Sequence, residues 1–143
     1  MKKNQLLVLL FASGLFTRFD LTVIVVEPTS KSLGVYEQYK KYTQKYDVQL
    51  VVVGNKIEEQ EDEQFIKGVV GNDYLGSFLR SKYVKHTERG IIPPLTELED
   101  ENKKILELIK QKVDSTSRDW KKYYDQAVEF HLKNAKSWWN DAV

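Results

Sequence analysis

Cysteine is absent from this chain of 143 residues, and other features that often indicate a function are scarce. Without cysteine the sequence excludes disulfides, zinc–thiolate sites and a thiol nucleophile. The only imidazoles, His86 and His131, do not stand in a metal-binding spacing, so we expect a structural role for each. Lysine plus arginine (22) and aspartate plus glutamate (21) nearly balance, so net charge does not predict a nucleic-acid partner.

Phosphate-binding motifs are missing as well. The glycines at 14, 34, 54, 68, 71, 76 and 90 do not begin a G-x-x-x-x-G-K-[ST] loop or a G-x-G-x-x-G fingerprint. No G-x-S-x-G nucleophile elbow is present either. The sequence therefore predicts no metal site, no catalytic residue and none of the usual ways of holding a phosphate.

Long hydrophobic runs are also lacking. Leu6–Phe11 follows two lysines and precedes Ala12-Ser13-Gly14, as in a short secretory signal. It is far shorter than the roughly 20 residues that a membrane-spanning helix needs. We interpret residues 1–19 as an apolar leader or a divergent first strand. A cytoplasmic protein is expected, with export as the alternative if this run is a signal.

Three apolar runs predict the strands of a parallel sheet. Leu21–Val26 and Val48–Val53 are rich in β-branched residues, and Tyr74–Leu79 is a weaker third run. We expect Gly54-Asn55 to end the second strand. Helical patterns separate and follow these runs. The alternation predicts an α/β fold, with a small parallel sheet flanked by helices and right-handed crossovers.

The last two helices are predicted at Leu95–Val113 and at about Arg118–Asp141. We place the main domain at residues 20–113 and a long C-terminal amphipathic helix at residues 114–143. We expect this helix to pack on its own domain, with partner docking and membrane-surface binding as alternatives. Its mixed polar charge makes a membrane the least favoured of these. The predicted apolar face is formed by Trp120, Tyr124, Ala127, His131, Ala135 and Trp138, and it is widened by Tyr123, Val128, Phe130 and Trp139.

The chain from Asp20 to about Val113 resembles the C-terminal half of the MinD/ParA-like deviant P-loop ATPases. That class includes the septum-site and plasmid-partition ATPases and the nitrogenase iron protein. The resemblance rests on DLTVIVVEPTSKSL at 20–33, VVVGNK at 51–56 and LGSFLRSKYVKHTERG at 75–90. The closest similarity is to the ATPases that mature carbon-monoxide dehydrogenase by assisting nickel insertion. It implies a partial, Rossmann-like P-loop NTPase fold and an ATP-driven role in metallocentre assembly.

Asn55 and Lys56 match the Asn-Lys pair of that family, in which the asparagine reads the adenine base. In an open parallel sheet, ligands bind beyond the carboxyl ends of the strands. We expect Asn55 to lie directly after such an end, where its amide offers both a donor and an acceptor. The alternative for Asn55 is a turn or helix-capping role after Gly54.

The resemblance implies further contacts with base and ribose downstream. Leu79, Arg80 and Ser81 match a Pro-Arg-Asp-like segment that wraps the base, although leucine replaces the proline and serine the acidic residue. Glu88 falls where the family places a ribose-contacting carboxylate, with an exposed helix carboxylate as the alternative. Together these residues predict a site for the base side of ATP or ADP.

The phosphate side of the family site has no counterpart in the sequence. If Gly14-Leu15 matches the γ-phosphate region, Leu10 takes the place of the aspartate that organises magnesium, and leucine cannot hold that ion. We therefore expect a degenerate or partial ATPase-like domain that binds nucleotide weakly or not at all and does not hydrolyse it alone.

Two other functions stay open. The first is half of a split ATPase that a separate P-loop polypeptide completes. The second is a non-enzymatic interaction module that uses the aromatic C-terminal helix. Expected partners are a second copy of the chain or the P-loop polypeptide, with a metalloenzyme client implied by the resemblance, and neither nucleic acid nor a membrane.

Overall fold

The computed structural model describes residues 19–45 and 48–141, and the side chains at 42, 45 and 137–141 are outside that description. The interpretation of residues 1–19 as an apolar leader or a divergent first strand therefore lies outside the described residues, apart from Phe19. What is described is an α/β arrangement, as the alternating apolar runs predict.

A parallel three-stranded sheet forms the centre of the fold. Its strands are β1 (Leu21–Val26), β2 (Gln49–Ile57) and β3 (Tyr74–Leu79), in the order β1-β2-β3. The predicted bounds of the first and third strands are confirmed. Each strand pairs with the next along the chain, which is the arrangement that helical crossovers between parallel strands produce.

Within residues 19–45 and 48–141, five helices flank this sheet. Two short 3₁₀ turns, Gly71–Asp73 and Leu95–Glu97, precede β3 and the fourth helix. The C-terminal helix is long, as predicted. The helices are α1 (Ser30–Lys45), α2 (Gln60–Val70), α3 (Lys82–Glu88), α4 (Asp100–Ser115) and α5 (Trp120–Asp141).

The end predicted for the second strand is wrong. β2 continues through Gly54 and Asn55 to Ile57, because β3 supplies hydrogen-bonding partners beyond the glycine. Ile57 pairs with Leu79, and the Ile57 carbonyl accepts the Arg80 N–H at 3.1 Å. The ladder is irregular between Gly54 and Ile57. Asn55 therefore lies inside the strand, two residues before its end, rather than after it.

The two faces of the sheet carry different helices. A Cβ on Gly54 would meet Ile66 of α2 at 3.0 Å, and a Cβ on Gly76 would meet Ile105 of α4 at 2.8 Å. Gly54 pairs with Ser77 and Val53 with Gly76, so these contacts are on opposite faces. The main core lies on the α1–α2 face and consists of Val26, Leu33, Tyr36, Val52, Ile57, Ile66 and Val70.

The cover on the α4 face does not extend to β1. Val53 of β2 is fully buried, whereas Val25, its partner in β1, is 57% exposed. Within the part of the chain that the structure describes, β1 pairs with β2 alone. The first strand therefore presents an apolar side chain and one backbone edge that a complete α/β sheet would cover.

The helix predicted from Leu95 begins later, at Asp100. Leu95–Glu97 forms a 3₁₀ turn after Pro94, and Leu98 and Glu99 have extended ψ angles near 138°. Asn102 is buried in the first turn of α4, a polar residue that the apolar spacing did not indicate.

The face predicted for α5 is confirmed only at its margin. Trp120 and Tyr124, from its centre, are 65% and 68% exposed, and His131 is exposed. Phe130, one of the residues predicted to widen the face, is buried against Tyr39 of α1 and Val48 just before β2. The helix does pack on its own domain, but through the side that carries Phe130. Among residues 19–45 and 48–141, no helix combines the length and apolarity needed to cross a bilayer.

Candidate functional site

Asn55 and Lys56 lie at the carboxyl end of the central strand. The Asn55 side chain is half-buried and forms no hydrogen bond with any residue in the described ranges. Lys56 has a left-handed φ of 59°, and its Nζ lies 2.7 Å from Glu27 Oε1 at the end of β1. The side-chain amide of Asn55 therefore adjoins the Lys56–Glu27 ion pair, which joins the ends of β2 and β1.

The conformation of Lys56 gives a first prediction. A left-handed φ costs a residue with a Cβ about 1–2 kcal/mol, and glycine avoids that cost. The exposed pair with Glu27 contributes at most about 1 kcal/mol. We expect Lys56→Gly to leave the free energy of unfolding unchanged or slightly raised, and Lys56→Val to lower it by about 1–2 kcal/mol.

Urea denaturation measures both changes. Lys41→Gly is the matched control, since this exposed lysine is inside α1 and glycine there should cost about 1 kcal/mol. A loss at position 56 as large as that at position 41 would contradict the strain interpretation.

The backbone of Leu79 is held by Asn102 of α4. Asn102 Oδ1 accepts the Leu79 N–H at 2.9 Å, and its Nδ2 donates to the Leu79 carbonyl at 3.3 Å. Asn102 is 2% exposed. This two-point contact fixes the start of the 79–81 segment, and nothing in the local sequence around Leu79 indicates it.

Ser81 is committed to structure. Its Oγ accepts the Val84 N–H at 3.1 Å, which caps α3, and donates to Glu99 Oε2 at 2.8 Å. Glu99 also accepts the Lys82 N–H at 2.8 Å and an Nδ2–H of Asn102 at 3.1 Å. The proton and one of the two lone pairs of the Ser81 hydroxyl are therefore used within the chain, and a ribose contact by Ser81 stays a prediction.

These hydrogen bonds determine the charge state of Glu99. Partial burial raises the pKa of its carboxyl, but the bonds from Ser81, Lys82 and Asn102 together outweigh burial and lower the pKa to about 2. A carboxylate that accepts several hydrogen bonds in the folded state is stabilised in its ionised form.

The pKa of Glu99 gives a second prediction. Because the folded pKa is below the usual 4.5, the stabilisation by Glu99 is fully present above pH 5 and disappears as pH falls toward 2. Glu99→Gln should therefore lower the free energy of unfolding at pH 7, and its difference from the wild type should shrink between pH 5 and pH 2.

Urea denaturation at several pH values tests this behaviour. Glu101→Gln removes the same charge from the exposed first turn of α4 without breaking the bonds to α3. A difference between wild type and Glu99→Gln that is constant from pH 7 to pH 2 would contradict the prediction.

Two carboxylates, those of Glu58 and Glu88, act on Arg80. The Arg80 side chain is 72% exposed, and its guanidinium forms an ion pair with Glu58, which directly follows β2. This pair, with a smaller contribution from Glu88, raises the pKa of Arg80 above its ordinary value. Glu88 is the last residue of α3 and is exposed. Asn55, Lys56 and Arg80 thus lie at the carboxyl ends of neighbouring strands. Glu88 is close enough to Arg80 to affect its pKa.

Two clefts lie at the other, amino-terminal side of the sheet. One is bordered by Asp20, Gln49 and Arg118, and the other by Lys40, Thr43 and Asp73. No three acidic or histidine side chains of the described residues form a group that could hold a metal ion. The predicted base site is therefore an exposed strand-end surface and is separate from these clefts.

No family model matches this chain, and neither the curated proteins nor the solved structures include a match. The protein is an α/β protein with a small parallel sheet, and its strand-end residues form the candidate site.

Proposed function

We propose that this chain is a degenerate ATPase-like domain of the deviant P-loop type that contacts a nucleobase weakly and does not hydrolyse ATP alone. The observation that carries the proposal is Asn55, a half-buried amide at the carboxyl end of the central parallel strand without a hydrogen bond to any residue in 19–45 or 48–141. Ligands of open α/β sheets bind on this side.

The neighbouring strand supports the same assignment. Arg80 directly follows β3, the strand that pairs with β2, so its guanidinium lies on the same side of the sheet as Asn55. A planar guanidinium can stack on a purine ring, while an amide pairs with its edge. The Asn102 contact fixes the backbone of the segment that carries Arg80.

The sequence lacks the parts that phosphoryl transfer requires. Catalysis of that reaction depends on a P-loop, a magnesium ion and a residue that positions the nucleophile. With magnesium and ATP, the purified chain should release phosphate at the rate of a buffer control. Turnover that survives repurification would contradict the proposal.

Binding is tested by titrating adenosine, ADP and ATP and following the Asn55 side-chain amide resonance by NMR. Affinities should be poor, and ATP should have no advantage over adenosine. Asn55→Ala should weaken adenosine binding about fivefold, as expected for modest hydrogen bonds. Asn72→Ala, at an exposed amide in the 3₁₀ turn before β3, is the control and should leave binding unchanged.

A second candidate function is half of a split ATPase, and β1 is the observation that favours it. The exposed Val25 and the outer edge of β1 are where a further parallel strand and its helix would pack. A polypeptide from an adjacent reading frame with a G-x-x-x-x-G-K-[ST] motif should then copurify with this chain. Val25→Lys should abolish that copurification, while Lys85→Ala, on the exposed surface of α3, should not.

A further inference from the structure

The carboxyl side of the sheet combines two cations with their own counterions. Lys56 Nζ is 2.7 Å from Glu27, and the Arg80 guanidinium pairs with Glu58. Glu88 adds a third carboxylate near Arg80. These five side chains therefore comprise three carboxylates and two cations, and each cation is paired with a carboxylate.

The helix that follows β2 is closed to anions in a similar way. The first N–H groups of an α-helix, together with its dipole, commonly bind phosphate. At α2 the Asp62 carboxylate instead accepts the Glu58 N–H at 3.0 Å and the Glu59 N–H at 3.2 Å. The Glu59 carboxylate accepts the Asp62 N–H in return. The chain thus places its own carboxylates where a phosphate would be held.

The other two strand ends do not restore a phosphate site. The backbone N–H groups at the start of the short α3 are bonded to Glu99. The start of α1 is capped by the Thr29 hydroxyl, which accepts the Ser32 N–H at 3.2 Å, and Glu27 stands just before it. All three strand ends therefore have a carboxylate nearby.

From this arrangement we infer that the site selects against phosphorylated ligands and takes an uncharged nucleoside or base, with Glu58 as a specificity-determining residue. The inference rests on the proposed base contact of Asn55. An ion pair with Glu58 keeps Arg80 from binding a phosphate, and Glu58, Glu88 and Asp62 repel one. Each added phosphate should therefore weaken binding, and more so at low ionic strength, where surface charges are less screened.

The experiment compares adenosine with ATP, in the absence of magnesium, on the full chain at about 20 mM and about 300 mM salt. The wild type should bind adenosine several-fold more tightly than ATP at low salt, and this preference should fade at high salt. Glu58→Gln, which leaves Arg80 unpaired and removes one negative charge, should tighten ATP binding about three- to tenfold at low salt and change adenosine binding much less. Glu27→Gln, which releases Lys56, should act in the same direction.

Glu61→Gln is the matched control, because it removes an exposed carboxylate from the first turn of the same helix and Glu61 does not pair with Arg80. It should change ATP binding less than Glu58→Gln does. Circular dichroism and the urea midpoint establish that each variant is folded. Glu58 and Glu27 are both substantially exposed in their ion pairs, so both variants should fold.

The outcomes separate this inference from the proposed function. If wild type binds ATP as well as adenosine and Glu58→Gln does not change ATP binding, the selectivity is wrong while base contact stands. If adenosine does not bind to the wild type or to either variant, or if Asn55→Ala does not weaken it, the base contact itself is wrong and the inference falls with it.

Discussion

Replacing Gly54 with alanine should lower the free energy of unfolding by about 1–3 kcal/mol, the usual range for overpacking a core. A Cβ at this position overlaps Ser77 Oγ and approaches Ile66 Cδ1 to 3.0 Å. Ser77 has little freedom to move, because its Oγ is hydrogen-bonded to the Tyr74 hydroxyl at 2.8 Å. The close approach of β2, β3 and α2 therefore requires glycine here.

Urea denaturation of the wild type and four variants tests this prediction. Ser77→Gly removes the overlapping hydroxyl, so the Gly54→Ala/Ser77→Gly pair should lose less than the sum of the single changes. Gly34→Ala is the control, because a Cβ added at position 34, inside α1, would meet no neighbouring side chain within 4 Å. That change should stabilise the protein by about 0.5–1 kcal/mol. Equal effects at positions 54 and 34 would refute the packing explanation.

Asn102→Ala should cost about 2–4 kcal/mol, since it removes two backbone contacts and leaves partly buried polar groups of Leu79 without partners. The loss should extend to the segment after β3, because Asn102 also donates to Glu99, which accepts the Lys82 N–H at the start of α3. Amide hydrogen exchange should then be faster at Leu79 and in α3 than in β1.

Asn102→Asp distinguishes the hydrogen bonds from simple loss of volume. Aspartate keeps an acceptor for the Leu79 N–H but puts a negative charge where Nδ2 was 3.1 Å from Glu99 Oε2. We expect it to be at least as destabilising as alanine at pH 7 and to recover partly on acidification. Asn72→Ala, at an exposed site, should change stability by less than about 0.5 kcal/mol.

The sequence predicts the first and third strands well, because Leu21–Val26 and Tyr74–Leu79 are short apolar runs bounded by polar or turn residues. It does not predict how far β2 extends. Gly54-Asn55 is typical of a strand end, but pairing of Ile57 with Leu79 outweighs that local preference. Tertiary pairing of this kind is invisible to a local pattern.

The candidate site divides in the same way. The position of Asn55 and Arg80 at the carboxyl ends of their strands follows from the parallel sheet that the alternation predicts, because the carboxyl ends of parallel strands lie at the same edge. The ion pairs of Arg80 with Glu58 and of Lys56 with Glu27 join residues far apart in sequence, and no spacing rule indicates them. The apolar face predicted for α5 includes the buried Phe130 at its margin, but the sequence does not indicate which part of that face packs, because aromatic residues occur around much of the helix.

The packing of Phe130 of α5 against Tyr39 and Val48 has a kinetic consequence. The sheet can assemble step by step, since each strand pairs with the next one in the chain, whereas α5 returns from the C-terminal part of the chain to residues of the first half. Among the described side chains of α5, Phe130 is the one that is buried. We therefore expect α5 to dock last and to detach as a separate cooperative unit while the sheet stays folded. Such detachment would transiently expose Tyr39 and Val48, which are buried in the native state.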